Sequence, residues 1–84
     1  MKFVKEKMVF NGFKTNKVED KEYHSLYFID DEANNEALNY VGNVEELSSL
    51  KPGDFIDLHC KVYKSKDNYY KIVGISVYKI ELSL

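Results

Sequence analysis

The chain has 84 residues, which is enough for one domain with one compact core and too little for a large enzyme cleft. Its hydrophobic fraction of 44% and aromatic fraction of 14% exclude a disordered chain, and the aromatics are seven Tyr and five Phe with no Trp. The formal net charge is −2 and every basic residue is Lys. This excludes a uniformly basic binder and argues against base-specific reading of duplex DNA, which favours the guanidinium fork of Arg.

In chain order, residues 2–14 (KFVKEKMVFNGFK) predict a long first strand. Val4, Glu6, Met8 and Phe10 fall on one face, with Phe3, Val9 and Phe13 on the other. Gly12 marks a bulge or sharp bend, a device by which a long strand helps a sheet close on itself. The polar run Thr15 to Lys21 reads as the first loop. Glu22 to Ile29 predicts the second strand, with Leu26 and Phe28 inward and Tyr23 and Tyr27 on the opposite face. Residues 30–35 (DDEANN) are an acidic loop, and Glu36 to Val41 reads as a short third strand. Asn43 is placed to cap a helix over Val44 to Leu50, with Glu45 and Glu46 in the first turn, where the helix dipole favours negative charge. Val44, Leu47 and Leu50 give that helix one apolar edge, and Pro52 and Gly53 end it.

Lys51 to Ile80 carries the strongest pattern. Ile56, Leu58, Cys60 and Val62 alternate with Asp57, His59 and Lys61, the period of a half-buried strand. Ser65 to Asn68 (SKDN) supplies turn residues, and Tyr69 to Ile80 is rich in Tyr, Ile and Val, as a returning strand should be. The order is three strands, a short helix and two more strands, and barrel closure is the expected way to manage their edges.

Charge is unevenly distributed. Residues 1–29 hold six Lys against four acids, residues 30–57 one Lys against eight acids, and residues 58–80 five Lys against one Asp. If the two basic ends meet in space, they form a basic face on an acidic protein. Solvation of exposed strands by Lys is the competing reading.

This element order, with Leu50, Lys51, Pro52, Gly53 and Asp54 leading into Phe55 and Ile56, resembles an OB-fold domain. The expectation is an all-β, five-stranded OB-fold barrel over residues 1–84, with a short helix between strands 3 and 4. In size, order and residue class the chain is similar to the small single-stranded-DNA-binding proteins of phages and mobile elements. It departs from the housekeeping bacterial binder in lacking tryptophan and in closing on IELSL where that family carries an acidic tail. The resemblance implies sequence-tolerant binding of single-stranded DNA, accessory to replication, recombination or transfer. The first-to-second and fourth-to-fifth strand loops would clasp the strand.

Lys61, Tyr63, Lys64, Lys66, Tyr69, Tyr70 and Lys71 form the leading candidate site, because rings stack on bases while ammonium groups hold phosphates. Lys14, Lys17 and Lys21 extend it, diluted by Glu19 and Asp20, and Tyr23 and Tyr27 are further stacking platforms. Packing of one of Tyr69 and Tyr70 into the barrel end is the structural alternative. RNA binding by the same face, or docking of the acidic middle segment on a larger protein complex, are the alternative functions.

No metal, cofactor or catalytic activity is expected. His59 and Cys60 are neighbours in a strand and face opposite sides, and the run from Asp30 to Glu36 lacks the glycine and length of a calcium loop. No serine is tied to either histidine by spacing, and no glycine-rich phosphate loop is present. The single cysteine and the lack of a signal-peptide pattern point to the cytoplasm, and no apolar run approaches a membrane span. The alternation of Ile80, Leu82 and Leu84 predicts an edge on which a second copy could pair to form a homodimer.

Overall fold

The computed structural model describes residues 1–81. Its elements are β1 (Lys2–Val18), β2 (Lys21–Ile29), β3 (Asn35–Tyr40), α1 (Val44–Ser48), β4 (Phe55–Lys64) and β5 (Tyr70–Ile80). The strands close into a barrel in the order β1-β2-β3-β5-β4, with β1 pairing β4 to complete the circuit. With a helix between β3 and β4, this is an OB-fold-like barrel. Leu82 and Leu84 of the expected dimer edge lie outside the described residues, and Ile80 pairs with Phe55 in the β4–β5 ladder.

Alternation in β4 works as the sequence predicts: Ile56, Leu58 and Cys60 are buried. They meet Met8 and Phe10 of β1, Leu26 and Phe28 of β2, Tyr40 of β3, Leu47 of α1 and Val77 of β5 in one core. Burial also pushes the Cys60 thiol up from its ordinary pKa, so it is a packing group and a poor nucleophile.

Two irregularities bend β1. Its register shifts between Phe10 and Phe13, where Gly12 takes a φ of 109°, as the glycine predicts. A second shift, between Lys5 and Met8, overturns the expected facing of the strand. Lys7 adopts a φ of 58° and its N–H donates to Asp57 Oδ1 at 3.1 Å. This bulge reverses the alternation, so Phe3 rather than Val4 packs against the core that holds Met8 and Phe10.

The first loop is also corrected. Thr15 to Lys21 is strand except for a two-residue turn at Glu19 and Asp20, with Val18 paired to Lys21 and Glu19 at a φ of 58°. The segment is polar because it projects beyond the barrel with neither face covered. It still satisfies its backbone groups in an antiparallel ladder. The described chain therefore measures 46 × 27 × 20 Å.

Helix α1 stops at Ser48, two residues short of the expected end, but Asn43 caps it as predicted: its side chain accepts from the Glu45 N–H at 3.0 Å. The helix fills the seam between β3 and β5, which are joined only at Asn39–Val73 and Tyr40–Gly74. Beyond those pairs Glu46 stands in for the missing strand. Its Oε2 accepts from the Tyr40 hydroxyl at 2.9 Å and from the Val77 N–H at 3.1 Å. Burial, then the bond and charge of Glu46, push the Tyr40 hydroxyl well above its ordinary pKa.

Candidate nucleic-acid interface

In a ladder, directly opposed residues share a face, so register pairs can be followed from strand to strand. One such row runs round the barrel. Lys14 lies opposite Ser25, Ser25 opposite Asn39, Asn39 beside Val73, Val73 opposite Lys61, and Lys61 opposite Lys2. Cys60 and Gly74, one step along from Lys61 and Val73, face the core, so this row faces out. One step towards the hairpin tips, Asn16 opposes Tyr23 and Lys71 opposes Tyr63.

The Lys2–Lys61 pair answers the question raised by the charge distribution. The basic amino-terminal and carboxy-terminal segments are neighbours in the β1–β4 ladder. The acidic loop sits at the other end of the barrel, joined to Ile29 and Asn35. There Asp30 accepts from the Asn34 and Glu32 N–H groups, and the Asn34 bond above all holds its carboxyl below the ordinary range. Among the described residues the one ion pair is Lys79–Asp54 at 3.8 Å, so Lys2, Lys14, Lys61 and Lys71 are in ion-pair contact with no described carboxylate.

A cleft of about 490 Å³ opens beside the β3–β5 seam, between the two projecting hairpins. Tyr23, Asn39, Val41, Tyr63, Lys71 and Val73 line it. Val73 is only 2% exposed and pairs with Lys61 in the outward row, so it is the apolar floor of this outer cleft. Lys61 Nζ lies 5.4 Å from the Tyr63 ring centroid, which holds that ring between a cation and the cleft. His24 also lines the cleft and bonds Thr15 Oγ1 through Nδ1 at 2.8 Å, tying β2 to β1 at the base of the hairpin.

Of the residues singled out from sequence, Lys14, Tyr23, Lys61, Tyr63 and Lys71 come together on this outward face. Lys17 lies on the other face of its hairpin, opposite Glu22, and Lys64 and Tyr70 oppose each other on the other face of theirs. Lys66 and Tyr69 belong to the intervening turn, closed by the Ser65 N–H on Tyr69 O at 2.8 Å with Asn68 at a φ of 65°. Tyr69 and Tyr70 are each 74% exposed, so neither packs into the barrel end. Tyr27 is outward but lies four residues from Tyr23, about 13 Å towards the acidic end. Sequence reasoning missed Lys2, Ser25, Asn39 and Val73. The charge count pointed at Lys2, but the others are set by register alone.

Among the described residues no three His, Cys, Asp or Glu side chains converge as a metal site. No described helix is long and apolar enough to cross a membrane. No protein-family model, curated protein sequence or solved structure matches this chain.

Proposed function

We propose that this barrel binds single-stranded nucleic acid, DNA in the first instance, across the outward row from Lys14 to Lys2. Lysines neutralise phosphates while Tyr23, Tyr63 and Tyr69 at the hairpin tip stack on bases, each stacked base contributing ~1–3 kcal/mol. The observation that carries the reading is Lys2 directly opposite Lys61 with no carboxylate paired to either among the described residues. Like charges opposed across a ladder destabilise a sheet, and a bound phosphate removes that repulsion. The binding is sequence-tolerant and non-enzymatic, in a cytoplasmic role accessory to replication, recombination or DNA transfer.

The test is fluorescence anisotropy of a labelled thymine oligonucleotide against salt. Binding is micromolar or tighter at low salt. Three lysines of the row, Lys14, Lys61 and Lys2, on phosphates give a slope of log affinity against log salt of about −2, roughly a 20-fold loss over a fourfold rise in salt. A flat salt response or no binding at low salt rejects the proposal. A matched RNA oligonucleotide in the same titration separates DNA from RNA preference. The acidic loop at the far end is left free to meet a protein partner, which recovery of that partner after nuclease treatment would reveal.

A further inference from the structure

The cleft between the hairpins differs from the rest of the track in having a floor, two exposed tyrosines and an amide. Val73 supplies the floor, Tyr23 and Tyr63 the rings, and Asn39 projects from the same outward row. A volume of about 490 Å³ is within the range of small-molecule sites and far larger than a phosphate needs. Its charged lining residues are one cation and one anion, Lys71 and Glu22, so charge alone does not mark the cleft as a phosphate site. A flat, neutral, hydrogen-bonding ring system fits these surfaces.

Asn39 is exposed, and no side-chain hydrogen bond engages its amide among the described residues. Its neighbours across the ladders are Ser25 and Val73, neither of which carries charge. An asparagine amide offers one acceptor and two donors in a plane. Adenine is the base to which that pattern pairs most regularly, the amide oxygen accepting from N6–H and the amide nitrogen donating to N7.

Resting on the binding proposed above, we infer that the cleft takes one unstacked base of the bound strand and that Asn39 is a specificity-determining residue favouring adenine there. The remaining bases lie on the hairpins and stay sequence-tolerant. The chain would bind any single strand and hold best one that offers an adenine to the cleft.

The experiment compares an all-thymine 12-mer with thymine 12-mers carrying a single central adenine, guanine, cytosine or purine, the last lacking the N6 amino group. Wild-type protein binds the adenine oligonucleotide about five- to tenfold more tightly than all-thymine, the lower part of the range for a bidentate amide–base pair. The purine oligonucleotide loses most of that gain. Asn39→Ala levels the adenine and all-thymine affinities while the melting temperature stays that of wild type, since Asn39 is exposed, a combination that a general loss of structure would not produce. Equal affinity for all five oligonucleotides, or an adenine preference that survives in Asn39→Ala, overturns the inference and leaves the binding reading standing. Failure to bind any of the five overturns both.

Discussion

Lys2→Glu should make the fold more stable and the binding weaker. Lys2 faces Lys61 across the ladder, and the substitution turns a repulsive pair into an attractive one. Opposed charges contribute about 0.2–1 kcal/mol per pair and like charges cost a similar amount, so with discount for exposure the swing is about 0.5–1 kcal/mol. For a domain of this size that raises Tm by about 2–8 °C. The gain disappears at molar salt, where the screening length falls to about 3 Å. The same substitution removes an ammonium group from a phosphate and puts a carboxylate in its place. Breaking a hydrogen bond to a charged group costs about 1.5–3 kcal/mol, which weakens affinity tenfold or more. The salt slope becomes shallower by about 0.7, because one phosphate fewer is neutralised. Differential scanning calorimetry in low and high salt gives the first quantity, and anisotropy with a thymine oligonucleotide gives the second. A Tm that falls at low salt, or an affinity that does not change, refutes the reasoning that Lys2 repels Lys61 and holds a phosphate.

Four further outcomes follow from the same structure. Glu46→Ala leaves the Tyr40 hydroxyl and the Val77 N–H without their acceptor and should cost about 2–4 kcal/mol by urea denaturation, whereas Glu46→Gln keeps an acceptor oxygen and costs much less. Because the Tyr40 hydroxyl is held above its ordinary pKa in the fold, its contribution is complete below about pH 10, where an unfolded tyrosine ionises, and is lost as pH rises beyond it. Tyr40→Phe should flatten the alkaline arm of the stability profile. Gly42→Ala would place a Cβ 2.0 Å from the Ile75 carbonyl oxygen, a backbone atom, and should destabilise by at least about 1–3 kcal/mol or prevent folding, whereas a Cβ at Gly12 meets nothing within 4 Å and only the strain of a φ of 109° remains. Tyr69→Ala and Tyr70→Ala remove rings that touch no core, so Tm should stay within a degree or two, while oligonucleotide affinity falls for Tyr69→Ala at the hairpin tip and stays unchanged for Tyr70→Ala, whose ring is on the other face.

The barrel is legible in the sequence because its core strands obey simple alternation. Ile56, Leu58 and Cys60 on β4 can be placed inward from period alone, whereas on β2 both faces carry apolar residues and Leu26 and Phe28 are the favoured inward pair, which the fold buries. The break in β1 cannot, because Lys7 occupies a positive φ that ordinarily favours glycine, and only its bond to Asp57 accounts for it. The polar hairpin from Thr15 reads as a loop for a related reason. Polarity reports exposure, and a hairpin projecting beyond a barrel is exposed on both faces while fully paired.

The candidate interface is legible by residue class and not by position. Lysines and tyrosines can be nominated from sequence, but which share a face depends on how five strands align. Alignment carries Lys14, Lys61 and Lys71 onto one surface and turns Lys17, Lys64 and Tyr70 away from it. It also brings in Asn39 and Val73, which have no distinguishing local pattern, because the parallel β3–β5 pairing sets them side by side.

The most direct test of the central claim is an amide chemical-shift titration of the isotope-labelled protein with a thymine oligonucleotide at low salt. The account predicts shifts along Lys14, Ser25, Asn39, Val73, Lys61 and Lys2, with Tyr23, Tyr63 and Lys71 beside them, and little change across residues 30–36. Shifts confined to the acidic end, or none at all, would contradict it.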